Sequence, residues 1–138
     1  MNARSRAVPG EPAQLPVLTR FLQEFWSAAN LPPTHAPNFE LALEEVFMNI
    51  VMHGSQPGIE PRVEVSLALA DDGLTMTIED NGPLFDPLTV PSPDLTSSLA
   101  ERPVGGLGVF LVRQMMDAVS YSRVGARNRL TMRKSLAN

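Results

Sequence analysis

Residues 44–54 run EEVFMNIVMHG, an apolar stretch with polar groups returning at Glu45, Asn49 and His53. Followed back to Pro37, the stretch has a helical period. At about 100° per residue, Phe39, Leu43, Val46, Phe47 and Ile50 gather into one arc, the stripe that faces a core. Pro37 suits the first turn, where its missing N–H costs nothing, and Gly54 and Pro57 end the helix after residue 53. Glu45, Asn49 and His53 form a ridge along the border of the arc. A border faces either solvent or a cleft. In a cleft, the carboxylate can accept a proton from a hydroxyl, and the amide oxygen one turn on can ligate a hard cation such as magnesium. On a solvated border the same groups pair with water and with each other, which is the commoner arrangement. His53 also suits a helix C-terminus. With no second His or Cys at ligand spacing, metal binding by His53 is disfavoured.

Working outward, residues 12–29 carry Leu15, Leu18, Phe21, Leu22, Phe25 and Trp26 at helical spacing, stopped by Asn30 and the prolines at 32–33. Residues 3–8 suit a short edge strand. Beyond the 37–53 helix the period changes to two. Val63, Val65, Leu67 and Leu69 alternate in 62–70, Leu74, Met76 and Ile78 in 74–80, with a turn at Asp71, Asp72 and Gly73 between them. Residues 81–105 contain five prolines and no sustained period, a length of loop that small domains keep for function. A helix from Gly106 to Asp117 and strands at 118–124 and 128–134, hinged at Gly125, complete the order β-α-α-β-β-loop-α-β-β. That order predicts an α+β two-layer sandwich: a mixed, mostly antiparallel sheet, covered on one face by helices and more polar on the other.

The 138 residues suit one domain spanning 1–138. With 43% apolar and 19% charged residues the chain is globular. A net charge of -4 argues against a nucleic-acid partner but not against a nucleotide, which needs only local donors. The absence of cysteine excludes disulfides and thiolate metal sites and agrees with a cytoplasmic setting. No signal peptide and no membrane span is expected.

Two glycine segments carry further chemistry. In IEDNGPLFDP, residues 78–87, Asp80 ends a strand where it can accept a hydrogen bond from a ligand's exocyclic amine, and Gly82 lets a flat ring approach the backbone. An ordinary turn would look the same. In GGLGVFLVRQMMD, residues 105–117, Gly105, Gly106 and Gly108 lead into an amphipathic helix whose free N–H groups can cradle phosphate. No Gly-Lys-Ser/Thr follows, and no parallel βαβ unit surrounds it, so it is neither a Walker loop nor a dinucleotide fingerprint. Helix packing alone is the plain alternative.

Together and in order, ALEEVFMNIVMHG, IEDNGPLFDP and GGLGVFLVRQMMDAVSYS resemble the gyrase/histidine-kinase type of ATPase, the Bergerat-type fold. The closer similarity is to the anti-sigma-factor serine kinases, bacterial regulators that act by partner switching. The resemblance implies ATP and magnesium as cofactors, with a lid at about 83–104. By position it implies Glu45 as general base, Asn49 as magnesium ligand, Asp80 and Gly82 at the adenine, and Gly105, Gly106 and Gly108 around the phosphates. His53 would lie near the nucleotide. Arg102, the lone cation of the lid, is the candidate for the γ-phosphate, although a solvated lid charge is an equal reading. The implied partners are an anti-anti-sigma-type antagonist, phosphorylated on serine, and a sequestered sigma factor or other target; the implied state is a homodimer. Two departures stand out. No second glycine follows Gly82, so Phe85 covers either nucleotide or core. Asn128 and Thr131 stand where a Gly-Thr pair is usual, making Asn128 an adenine contact in an altered setting. The departures leave open a non-catalytic sequestration module of the same fold. The ATPase half of a histidine kinase is a third alternative, disfavoured because the chain has little room for a phospho-acceptor helix domain.

Overall fold

The computed structural model describes residues 3–53, 56–71, 73–89 and 106–137. Strand β1 (Ala3–Pro9) leads to helix α1 (Leu15–Ala28) and helix α2 (Ala36–His53). Strands β2 (Arg62–Ala70) and β3 (Gly73–Asp80) follow, then helix α3 (Gly106–Met115) and strands β4 (Ala118–Val124) and β5 (Arg127–Ser135). Short 3-10 turns at Pro12–Gln14, Pro33–His35 and Pro87–Thr89 lie where proline fixes the backbone. The helix expected from residue 12 therefore begins as a 3-10 turn, becoming α-helical at Leu15.

The five strands form one sheet in the order β1-β2-β3-β5-β4. Among the described residues every pairing is antiparallel, so the expected α+β sandwich is present with an antiparallel sheet. The β2–β3 hairpin closes with Ala70 opposite Gly73 and Asp71 at φ 55°. The β4–β5 hairpin closes with Val124 opposite Arg127 and Gly125 at φ 61°. Both turns need the left-handed backbone that matches strand twist, which glycine adopts without penalty and aspartate at small cost.

Alternation settles which sheet face is covered. Val63, Val65, Leu67, Leu74, Met76, Ile78, Leu130 and Met132 are buried under the helices. The opposite face carries Glu64, Ser66, Thr75, Thr77, Glu79, Arg129, Thr131 and Arg133, in register across β2, β3 and β5. Glu79 there bonds Arg129 at 2.5 Å and Arg127 at 3.4 Å. From α1 come Leu18, Leu22, Phe25 and Trp26; from α2 come Phe39, Ala42, Leu43, Val46 and Phe47. Burying a side chain of this size stabilises by about 1.5–3 kcal/mol, so this layer supplies the main cohesion. Trp26 pins the α1–α2 corner: its ring tilts on Phe39 at 5.6 Å and its Nε1–H donates to the Pro32 carbonyl at 2.9 Å. The consequence for the site is orientation. With its apolar arc pressed on the sheet, α2 must hold Glu45 and Asn49 half-buried at the edge, and His53 exposed beyond the last buried turn.

Candidate active site

The ridge of α2 meets three other elements. At Glu45 the neighbour is α3. A methyl group placed on Gly108 would overlap the Glu45 carboxylate oxygen Oε2. Gly108 is thus the residue that lets the carboxylate lie against the first turn of α3. The positive end of a helix dipole favours an anionic group there. Gly106 begins the same helix. Arg102 and Gly105 lie outside the described residues, as does most of the expected lid.

One turn along, Asn49 shares a cleft wall with Ile50, Asp80, Phe85 and Tyr121. The space left between these side chains is about 20 Å³, room for roughly one water. Phe85 is the reason. It is half-buried at the cleft and its ring stacks on His53, with centroids 4.7 Å apart and planes 22° from parallel. A flat ring is larger than the space between these side chains. The third member of the ridge therefore has a contact that its sequence position did not suggest.

Asp80 closes the far end. It is the last residue of β3, on the inner face, and only 8% exposed. Burial raises its carboxyl above the ordinary aspartate range; hydrogen bonds from Asn128 and from the Gly82 backbone, and the charge of Arg123, pull the other way. Both hydrogen bonds fall on Oδ1: Gly82 N–H at 2.9 Å and Asn128 Nδ2 at 3.1 Å. The turn that follows is held from two sides. Asn81 accepts from the Arg62 N–H at 2.8 Å and donates to the Glu60 carbonyl at 3.0 Å. On the other side, Asn128 Nδ2 also donates to the Pro83 carbonyl at 2.8 Å, and its Oδ1 accepts from the Phe85 N–H at 3.2 Å.

Asn128 is 6% exposed and both of its amide hydrogens are taken. It has none left to offer a ligand, so its place at the cleft is that of a support. Two residues that the sequence reading passed over complete this support: the Tyr121 hydroxyl donates to Asn128 Oδ1 at 2.5 Å and Arg123 Nη1 at 3.1 Å. A signal for Arg123 existed in the strand parity. Val119, Tyr121 and Arg123 alternate on the covered face, where a charge is out of place unless paired.

For a metal, no group of three His, Cys, Asp or Glu side chains is clustered among the described residues. Asn49 offers a single neutral oxygen. That donor set fits a cation completed by phosphate oxygens and water, as magnesium commonly is, rather than a cage of protein ligands. No helix among the described residues is long and apolar enough to cross a membrane.

The sequence pattern of the histidine kinase-like ATPase domain matches residues 8–134. The chain belongs to that family. Among curated members, it is 36% identical over 92 residues to serine/threonine-protein kinase BtrW of Bordetella bronchiseptica, covering 67% of this chain and 65% of BtrW. The match thus spans just under two thirds of that relative. Anti-sigma F factor of Clostridium perfringens is 25% identical over 111 residues, covering 78% of this chain and 79% of that protein. Among solved structures, the RsbU and RsbW domains of a Mycobacterium tuberculosis protein superpose with a TM-score of 0.71 at 13% identity, over 99% of this chain and 32% of that one. The histidine kinase domain of an Erythrobacter litoralis blue-light activated kinase gives 0.54 at 16% identity, over 94% of this chain and 62% of that one. At those identities the structural matches speak for the shared fold. Within the family, the named relatives by sequence are serine kinases and anti-sigma factors.

Proposed function

We propose that this chain is an ATP-dependent serine kinase of the partner-switching kind. It phosphorylates a serine or threonine of an antagonist protein and, when free of that antagonist, sequesters a sigma factor or another regulated target. The observation that carries the reading is the Glu45–Gly108 contact, which sets a carboxylate at the start of a glycine-opened helix, one turn from Asn49, itself in the same cleft wall as Asp80.

The chemistry follows from the positions. Asp80 accepts a hydrogen bond from the adenine amino group, and Gly82 leaves room for the ring. The backbone of α3 around Gly106 and Gly108 meets the phosphates. Asn49 holds magnesium, whose charge offsets that of the phosphates. Glu45 orients the substrate hydroxyl and takes its proton as the oxygen bonds to the γ-phosphorus and ADP leaves. Phosphoryl transfer asks a protein mainly for positioning and charge compensation, and these residues supply both. Arg102 and Gly105 are proposed at the γ-phosphate end. The names of the sequence relatives, a serine/threonine-protein kinase and an anti-sigma factor, support the choice of substrate and target class. A cytoplasmic homodimer is part of the same reading.

The deciding experiment uses γ-labelled ATP, magnesium and a small antagonist protein encoded near the gene. Label is expected on a hydroxyl side chain of the antagonist with the wild type. Glu45→Ala should lower transfer by about a hundredfold or more while ATP still binds. Full transfer by Glu45→Ala removes Glu45 as the base. Absence of transfer by the wild type, with ATP binding intact, favours sequestration without catalysis, the reading that the Asn128 departure leaves standing.

A further inference from the structure

Three side chains of the β4–β5 hairpin, Tyr121, Arg123 and Asn128, converge on the loop that follows Asp80. Asp80, Asn128 and Arg123 are cross-strand neighbours in a single row on the covered face, since Asp80 pairs with Asn128 and Asn128 with Arg123. Arg123 is half-buried on the edge strand, and its Nη1 makes two bonds, to the Gly82 carbonyl at 3.0 Å and to Asn128 Oδ1 at 3.1 Å. Such a desolvated cation persists only where its hydrogen bonds are met.

The pattern fixes the orientation of the Asn128 amide. Its oxygen faces three donors: Tyr121 hydroxyl, Arg123 and the Phe85 N–H. Turning the amide over would set its NH2 group against two groups that can only donate, the Arg123 guanidinium and the Phe85 N–H. Locked in this sense, Asn128 can only present hydrogens to Asp80 and to the Pro83 carbonyl. Asp80 Oδ1 is then saturated by Asn128 and Gly82, and a ligand in the cleft meets Oδ2.

We propose that Arg123 is a positioning residue for purine selection: by fixing the Asn128 amide and the Gly82 carbonyl, it orients the Asp80 carboxylate so that a single acceptor oxygen faces the base. A purine with its amino group at C6 satisfies that oxygen. A 6-oxo purine such as guanine, entering in the same pose, sets oxygen against oxygen and is rejected, because a buried acceptor without a donor is costly. The same bonds tie the hairpin to Pro83 and Phe85, the root of the expected lid. The inference rests on the ATP reading and adds to it the origin of base discrimination.

The test measures binding of fluorescent ATP and GTP analogues with magnesium to the whole chain, beside thermal stability. Wild type is expected to prefer ATP. Arg123→Met, which keeps length and removes the donors, should weaken ATP by about tenfold and leave GTP nearly unchanged, so the preference narrows. Arg123→Lys should recover part of it. Arg129→Met serves as the control, because Arg129 lies on the same hairpin but on the opposite sheet face, paired with Glu79. It should change stability alone. An unchanged preference in Arg123→Met, or an equal loss of both nucleotides, overturns the assignment. If Arg123→Met does not fold, Tyr121→Phe, which removes one donor from Asn128, must narrow the preference in the same direction. A wild type that binds neither nucleotide overturns the ATP reading itself, which separates the two failures.

Discussion

Asp80 shows at the scale of one residue how a proposed function and stability oppose each other. Its carboxyl titrates above the ordinary aspartate range because burial penalises the charge. The sign follows from linkage. Below the ordinary aspartate value, about 3.9, the group is protonated in both folded and unfolded chains and burial of charge costs nothing. As the pH rises through the higher folded-state value, the folded chain must hold a carboxylate that the unfolded chain would solvate, and stability is lost. Asp80→Asn removes that titration while keeping an acceptor for Gly82 and Asn128. Urea midpoints at pH 4 and pH 7 should therefore show the variant gaining on the wild type toward pH 7. A gain toward pH 4 instead would contradict the account. The same variant should lose ATP, since its amide can place a donor where the adenine amino group needs an acceptor. That residue was legible in sequence as an acid at a strand end. Its support by Asn128 was not, because the two are 48 positions apart and meet only through the β3–β5 pairing.

At the scale of elements, the contact between α2 and α3 is the one on which the proposed chemistry rests. The space that Gly108 leaves is filled by Glu45. Gly108→Ala puts a methyl group against the end of a flexible side chain, which can turn away without disturbing the helices. The fold should survive while the carboxylate shifts, and catalysis tolerates little misplacement of a base. The expected result is a drop of about tenfold or more in kcat, with ATP affinity changed only a few-fold. A parallel loss of both would mean that the added methyl group disturbs the proposed phosphate cradle and not the placement of Glu45 alone. The periodicity of α2 and the glycines of α3 were visible separately. That a carboxylate from one helix abuts a glycine of the other depended on how both lie on the sheet.

For the whole molecule, the sandwich has one covered face and one polar face, and the candidate site lies where the helical layer meets the end of β3. The core of Phe25, Phe39 and Phe47 sits beside it and fixes the slope of α2, so the ridge is presented by packing rather than by local sequence. Among the described residues, β1 pairs with β2 on one side only and forms one sheet edge. Such an edge, next to the half-buried Val17 and Phe21 of α1, is compatible with self-association. Light scattering should give about twice the 15.0 kDa chain mass at working concentration; a mass equal to one chain counts against the proposed homodimer.

The sequence alone determined the elements, their order and the inventory of chemical groups. Period and turn chemistry are local: a helix arc is written in residues three and four apart, a strand in residues two apart. Motif order then pointed to the family, and with it to Glu45, Asn49, Asp80 and the glycines. Tertiary structure decided what those groups touch. The stacking of His53 on Phe85, the bonds of Asn128 to Asp80 and of Arg123 to Gly82 and the pairing of Glu45 with Gly108 all join residues distant in the chain. Their separations are set by sheet register and helix packing, which sum many weak contacts across the domain and leave no mark at any one position.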